Sequence, residues 1–233
     1  MKPETFISYS NKSISFLSKE WKNKYAELLN SEHWDIIITR IFSFVFKDEI
    51  NHCPLPIFKD EIITDYPKHY QFFEKLKYLI EKDENEISPL IAKTIEETPI
   101  ASLLIILGQR KTSATIMDEN GIPPRNEQVL KSCFAPHNKQ KSKAARAREK
   151  HISRNNESGF WGKIEGNPRQ KEEVAKTVVK KIINEKTWWN VFTHYKHDVV
   201  YEVRVATGEG MRWKKENLEL IGFLEPFIND EAV

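Results

Sequence analysis

Between Ala144 and Gly162 the chain reads AARAREKHISRNNESGFWG. Lys139, Lys143, Arg146, Lys150 and Arg154 follow one another at spacings of four, three, four and four. On a helix turning about 100° per residue they share a sector of roughly 80°. Like charges so placed repel, by roughly a few tenths of a kcal/mol per pair in an isolated helix. A stripe of one sign therefore points to an anionic partner, because cations at helical pitch can follow a line of phosphates. His151 stands at the edge of the stripe, beside Lys150. An imidazole with a reference pKa of about 6.5 can take or give a proton at neutral pH. The plainer alternatives are a solvated lysine-rich helix and a histidine without a chemical role. Ala145 and Ile152 lie opposite the stripe, small enough for close packing on a sheet.

Further on, YEVRVATGEGMRW places Glu202 and Arg204 on one face of a strand and Arg212 shortly after. Guanidinium groups suit phosphate because they bind it in two-point fashion. Glu202 is a candidate second acid or base, or a group that orients His151. An ion pair with Arg204 on a solvated sheet face is its alternative. Trp161 and Trp213 are candidates to stack nucleobases, and Trp188 and Trp189 read as core. His194, His197 and Asp198 form a compact HYKHD. On a strand, positions three apart face opposite ways, so no metal site is expected there. The two histidines remain candidates for a second catalytic one. No P-loop, dinucleotide fingerprint, HExxH or nucleophile elbow is present, and no cofactor is expected.

Charge separates the chain into two halves. Residues 1–120 hold 15 Lys+Arg against 19 Asp+Glu, net −4, and residues 121–233 hold 21 against 15, net +6. A polyanion should meet the second half. The two cysteines, Cys53 and Cys133, exclude a disulfide framework and fit a reducing compartment. No window approaches the roughly 20 apolar residues of a membrane span, and the N-terminus lacks a signal-peptide core. The expected location is the cytoplasm, with export by an unmarked route left open.

The elements that must position these groups follow from periodicity. Leu17, Trp21, Tyr25 and Leu28 suggest one amphipathic helix, and Trp34–Phe46 a buried one. The proline-broken Cys53–Pro67 reads as loop. Tyr70–Glu81 and Ile87–Glu97 read as helices, and Ile100–Gly108 as a helix or a buried strand. Asp118–Glu127, with Asn-Gly and Pro-Pro, is the best boundary, giving a helical domain 1–118 and a basic domain 119–233. The second would hold a short helix from Arg125, the basic helix Lys139–Arg154, a loop with Gly159, Gly162 and Gly166, and a helix Pro168–Glu185. Strands would follow, around Val199–Val205, after GEG, and through LELIGFLEP to Pro226. The fold class is α+β: a helical N-terminal half, then helices packed on a small antiparallel sheet.

RAREKHISR with FWG after it, then YEVRVATGEGMRW, then IGFLEP, together resemble a C-terminal nuclease domain of bacterial polymorphic and contact-dependent toxins. That domain belongs to the group sharing the barnase, EndoU, colicin and RelE fold. The likeness covers about Lys131 to Pro226. The family form has Arg between the two glycines where this chain has Glu209. The resemblance implies metal-independent cleavage of RNA by its own 2′-hydroxyl. His151 would be acid or base, Lys150, Arg146, Arg154 and Arg212 would hold the phosphate, and Lys143 and Arg204 would support binding. The expected partners are RNA and a neutralising protein, with no membrane. A non-catalytic RNA-binding module, or an interaction module whose acidic half covers its basic half, would use the same residues differently.

Overall fold

A computed structural model describes residues 1–50, 57–155 and 159–226. Cys53 lies outside these residues. The chain divides into two compact units, neither continuous in sequence. One is Met1–Cys53, Ile63–Gln109 and Met117–Ile122, and the other is Pro54–Ile62, Arg110–Ile116 and Pro123–Val233.

The first unit is helical. It holds α1 (Pro3–Ser13), α2 (Lys19–Lys24), α3 (Ser31–Lys47), α4 (Tyr66–Tyr70), α5 (Glu84–Glu97) and α6 (Ile100–Leu107), with a 3-10 run over Gln71–Glu81. Asn30 opens α3 by accepting from the His33 N–H, and Asp48 ends it in the left-handed region. Phe6 meets Phe42 and Phe46 at ring distances of 5.7 and 5.6 Å, joining α1 to α3. The apolar set Leu17, Trp21 and Leu28 is buried, but not on one helix. Leu17 precedes α2 in extended conformation, and a separate 3-10 turn carries Leu28. Ile100–Leu107 is helix, closed by left-handed Gly108. No helix among the described residues is long and apolar enough to cross a membrane.

The second unit is α+β. Helices α7 (Asn126–Phe134), α8 (Lys143–Asn155) and α9 (Pro168–Glu185) lead into β1 (Lys186–His194), β2 (Asp198–Val205), β3 (Gly210–Lys214) and β4 (Leu220–Leu224). The sheet is an antiparallel meander in chain order. Asn167 and Gln170 cap the start of α9 reciprocally, with Pro168 in its first turn. Alternation along β2 sorts the two sheet faces. Tyr201, Val203 and Val205 share a face with their register partners Trp189, Val191, Met211 and Trp213. These side chains are buried, as is Phe223 opposite Met211. The helices cover this face, α9 on β2 and α8 on β4. Fully burying one such side chain contributes about 1.5–3 kcal/mol. The other face carries Trp188, Asn190, Phe192, Glu202, Arg204 and Arg212.

Two segments from earlier in the chain join this unit. Residues 110–116 lie along β1, with Arg110 N–H donating to Trp189 O (3.0 Å) and Ile116 N–H to Val191 O (2.9 Å). Ile62 N–H donates to Lys111 O at 2.7 Å, which ties residues 57–62 to the first segment.

Candidate functional site

The basic helix begins at Lys143, not at Lys139. Lys139 sits in the bend before it. The turn is held by Asn138, whose Oδ1 accepts from the N–H groups of Gln140 and Lys141. Lys143, Arg146, Lys150 and Arg154 are exposed on one stripe of α8. The opposite face packs through Ala145 and Ile152, both buried. It also carries Arg148, 1% exposed, which donates to Trp161 O (2.6 Å) and Lys163 O (2.8 Å). Arg148 thus clamps the loop after α8. Its signal in the sequence was a cation on the packed side of the helix.

His151 lies beside the stripe, against the edge of Trp161 (4.7 Å between centroids) and near Phe223 (6.2 Å). Its Nε2 is 2.5 Å from Glu225 Oε1. Glu225, the penultimate residue of LELIGFLEP, is a carboxylate partner for His151. Its main-chain oxygen also accepts from Arg204 Nη1 at 2.7 Å.

The sheet face turned away from the helices carries a second cluster. Glu202, 3% exposed, lies between two arginines. Arg204 Nε donates to its Oε1 at 2.6 Å and Arg212 Nε to its Oε2 at 2.6 Å. Arg204 also donates to Gly208 O at 2.7 Å. The expected ion pair of Glu202 and Arg204 is present, but on a buried face rather than a solvated one. Gly210 lies opposite Arg204, where a Cβ would come within 2.7 Å of Arg204 Cγ and 2.3 Å of Val203 O. Arg212 Nη1 lies 2.8 Å from His194 Nε2 and its guanidinium is over the Phe192 ring.

His194 faces donors on both nitrogens, since Lys196 N–H is 3.1 Å from Nδ1. A neutral ring can accept from only one of them, and an imidazolium from neither. Burial first, then the charges of Arg212 and His197, holds the His194 pKa below its ordinary value. Residues 195–197 form a turn, so His194 and His197 stack at 5.1 Å rather than facing opposite ways. The strand rule that separates positions three apart does not apply across a turn. Among the described residues no group of three or more His, Cys, Asp or Glu is arranged to hold a metal ion. Burial pushes the Cys133 thiol up to about 12, which removes it as a nucleophile.

His194, Glu202, Arg204 and Arg212 line a cleft of about 470 Å3 with Phe58, Trp188 and Phe192. The structure thus joins Glu202, Arg204 and Arg212 to His194. It places His151, Lys150, Arg146, Arg154 and Lys143 on α8, over the other sheet face. Glu225 contacts both sets. Trp161 and Trp213 are 2% and 0% exposed, so neither ring offers a face to a base. They read instead as the core between helices and sheet.

Residues 130–225 match the family described as the CdiA C-terminal tRNase toxin domain. The match runs from within α7 to just past β4 and contains both clusters. No curated protein and no solved structure matches the chain. By this match residues 130–225 are similar to C-terminal nuclease domains of the polymorphic, contact-dependent toxin class, toxin nucleases that act on RNA.

Proposed function

We propose that the second unit is an endoribonuclease whose reaction centre is the cleft on the sheet face turned away from the helices, with tRNA as its substrate. The observation that carries this reading is Arg212, held between the Glu202 carboxylate and the His194 ring in an open cleft. Arg212 binds the scissile phosphate and offsets the charge that grows on it. His194, kept neutral, takes the proton from the 2′-hydroxyl on Nε2 once the phosphate replaces that nitrogen as the partner of Arg212 Nη1. The 2′-oxygen bonds to phosphorus, and the bond to the 5′-oxygen breaks. That oxygen leaves with a proton from water or from His197, stacked on His194. Glu202 positions both arginines. The stripe Lys143, Arg146, Lys150 and Arg154 draws in the RNA backbone. The chemistry so written calls on no metal ion. A cognate immunity protein and action in a target cell's cytoplasm belong to the same reading.

A second reading keeps the proton transfer on His151, with Lys150 at the phosphate. Its support is the 2.5 Å contact of His151 with Glu225, a pairing that can orient an imidazole.

The test is full-length protein with tRNA in EDTA: wild type, His194→Ala, His151→Ala and Arg212→Ala, with end-group analysis. Fragments ending in 2′,3′-cyclic phosphate, lost in His194→Ala and Arg212→Ala, support the cleft. Loss in His151→Ala with activity kept in His194→Ala moves the chemistry to α8. RNA bound but uncut by wild type leaves a binding module.

A further inference from the structure

The cleft has two walls of different origin. One is the sheet face with its charged cluster. The other is built from Phe58, Lys59 and Asp60 and from Thr112, Ser113 and Ala114. Both segments precede residue 130, so they lie outside the family match. They are nevertheless fastened firmly to the sheet. Arg110 binds Glu61 through Nε to Oε1 (2.5 Å) and Nη2 to Oε2 (2.7 Å), with side chains only 1% and 3% exposed. Such a buried pair is costly unless its geometry is good; here it anchors 57–62 to 110–116. Thr193 N–H donates to Ala114 O (3.0 Å) and Asn190 Nδ2 to Thr115 Oγ1 (2.8 Å), fixing 110–116 to β1.

The chemistry of the second wall differs from the first. Ser113 and Lys59 are exposed and Thr112 is half-buried. Hydroxyls both donate and accept, as reading the edge of a nucleobase requires. The cleft volume suits one small-molecule-sized group, in a range of about 300–1,000 Å3. That is room for one unpaired nucleotide and not for a duplex, which is recognised along its grooves.

We propose that Phe58–Asp60 and Thr112–Ala114 form a base-selecting wall, which receives the unpaired nucleotide beside the bond to be cut. This rests on the cleft being the reaction centre. Substrate choice is then set partly by residues outside the matched nuclease domain.

The test uses full-length protein and two readouts. The first is binding of the four nucleoside 3′-monophosphates by calorimetry, and the second is mapping of cut sites in a mixed-sequence unstructured RNA. The wild type should bind one base in preference and cut beside it. Thr112→Val removes a hydroxyl at nearly constant shape and should reduce that preference about tenfold, the size of one lost polar contact. Ser113→Trp, at an exposed position, should block the cleft and weaken mononucleotide binding about tenfold or more. Should Ser113→Trp fail to fold, Thr112→Val decides alone. Equal binding of all four mononucleotides, or variants with the wild-type preference, overturns the wall. Base-selective binding by a wild type that cuts no RNA sinks the nuclease reading and leaves the wall as a base-binding site without a bond to cut.

Discussion

Arg212 holds Glu202 from the neighbouring strand, with Nε at 2.6 Å and Nη2 at 2.5 Å from the same carboxylate oxygen. The pair sits in register, Glu202 on β2 opposite Arg212 on β3. Arg204 takes the other oxygen. One carboxylate thus sets two guanidinium groups on the sheet face turned away from the helices.

Removing that carboxylate should leave two arginines facing each other without a counter-charge. Glu202→Gln keeps the shape and should cost about 3–5 kcal/mol of stability, the penalty of breaking a buried ion pair. Urea unfolding measures it. An unchanged unfolding midpoint would show that Arg204 and Arg212 find other partners and that Glu202 is not their organiser.

Arg212→Ala should lower RNA cleavage by about 100-fold or more, as loss of a donor to the transition state does. It should also raise the pKa of His194, because the arginine charge is one of the causes that lower it. The sign follows from burial and like charge favouring the neutral ring. In wild type, activity should hold as pH falls below about 6.5 and drop only through the lowered folded pKa. In the residual activity of Arg212→Ala the drop should come at higher pH. Stability has the same sense: the unfolded chain protonates His194 first, so falling pH below about 6.5 destabilises the fold until the folded pKa is passed. A titration of the His194 ring by NMR that does not move in the variant would refute the assignment.

The exposed stripe on α8 should act through salt. If Lys143, Arg146, Lys150 and Arg154 contact phosphates, each alanine substitution should reduce the slope of log binding against log salt by about 0.7–0.9. The measurement is RNA binding by His194→Ala, which should not cut. A slope that ignores Arg146→Ala and Lys150→Ala would make the stripe a solvated surface.

Gly210→Ala should destabilise by about 1–3 kcal/mol, the usual cost of overpacking. The new Cβ would meet main-chain oxygen and the Arg204 stem. Gly159→Ala is the control, since nothing lies within 4 Å of its Cβ position. Equal melting temperatures for the two variants would mean that the β2–β3 spacing gives way easily.

Much of the second unit was legible in local order. The alternation Tyr201, Val203, Val205 marks β2, Pro168 in the first turn marks the start of α9, and the like-charged spacing marks the stripe of α8, because each is a property of one element and its own period. The fold class was legible for the same reason. The site was not. Glu202 and Arg212 are ten positions apart and meet through strand register. His194 joins them because β1 pairs with β2, and Glu225 reaches His151 because α8 packs on β4. Trp161 and Trp213 have the composition of a base platform, and only packing decides that they are core. The cleft's second wall comes from residues 57–62 and 110–116, brought in by a buried ion pair and β-type hydrogen bonds that carry no periodic signal. Sequence alone determined the fold class, the long helices and the strand β2, and which face of α8 is charged. Tertiary structure decided which polar groups meet, because those contacts join residues whose separation along the chain no local period records.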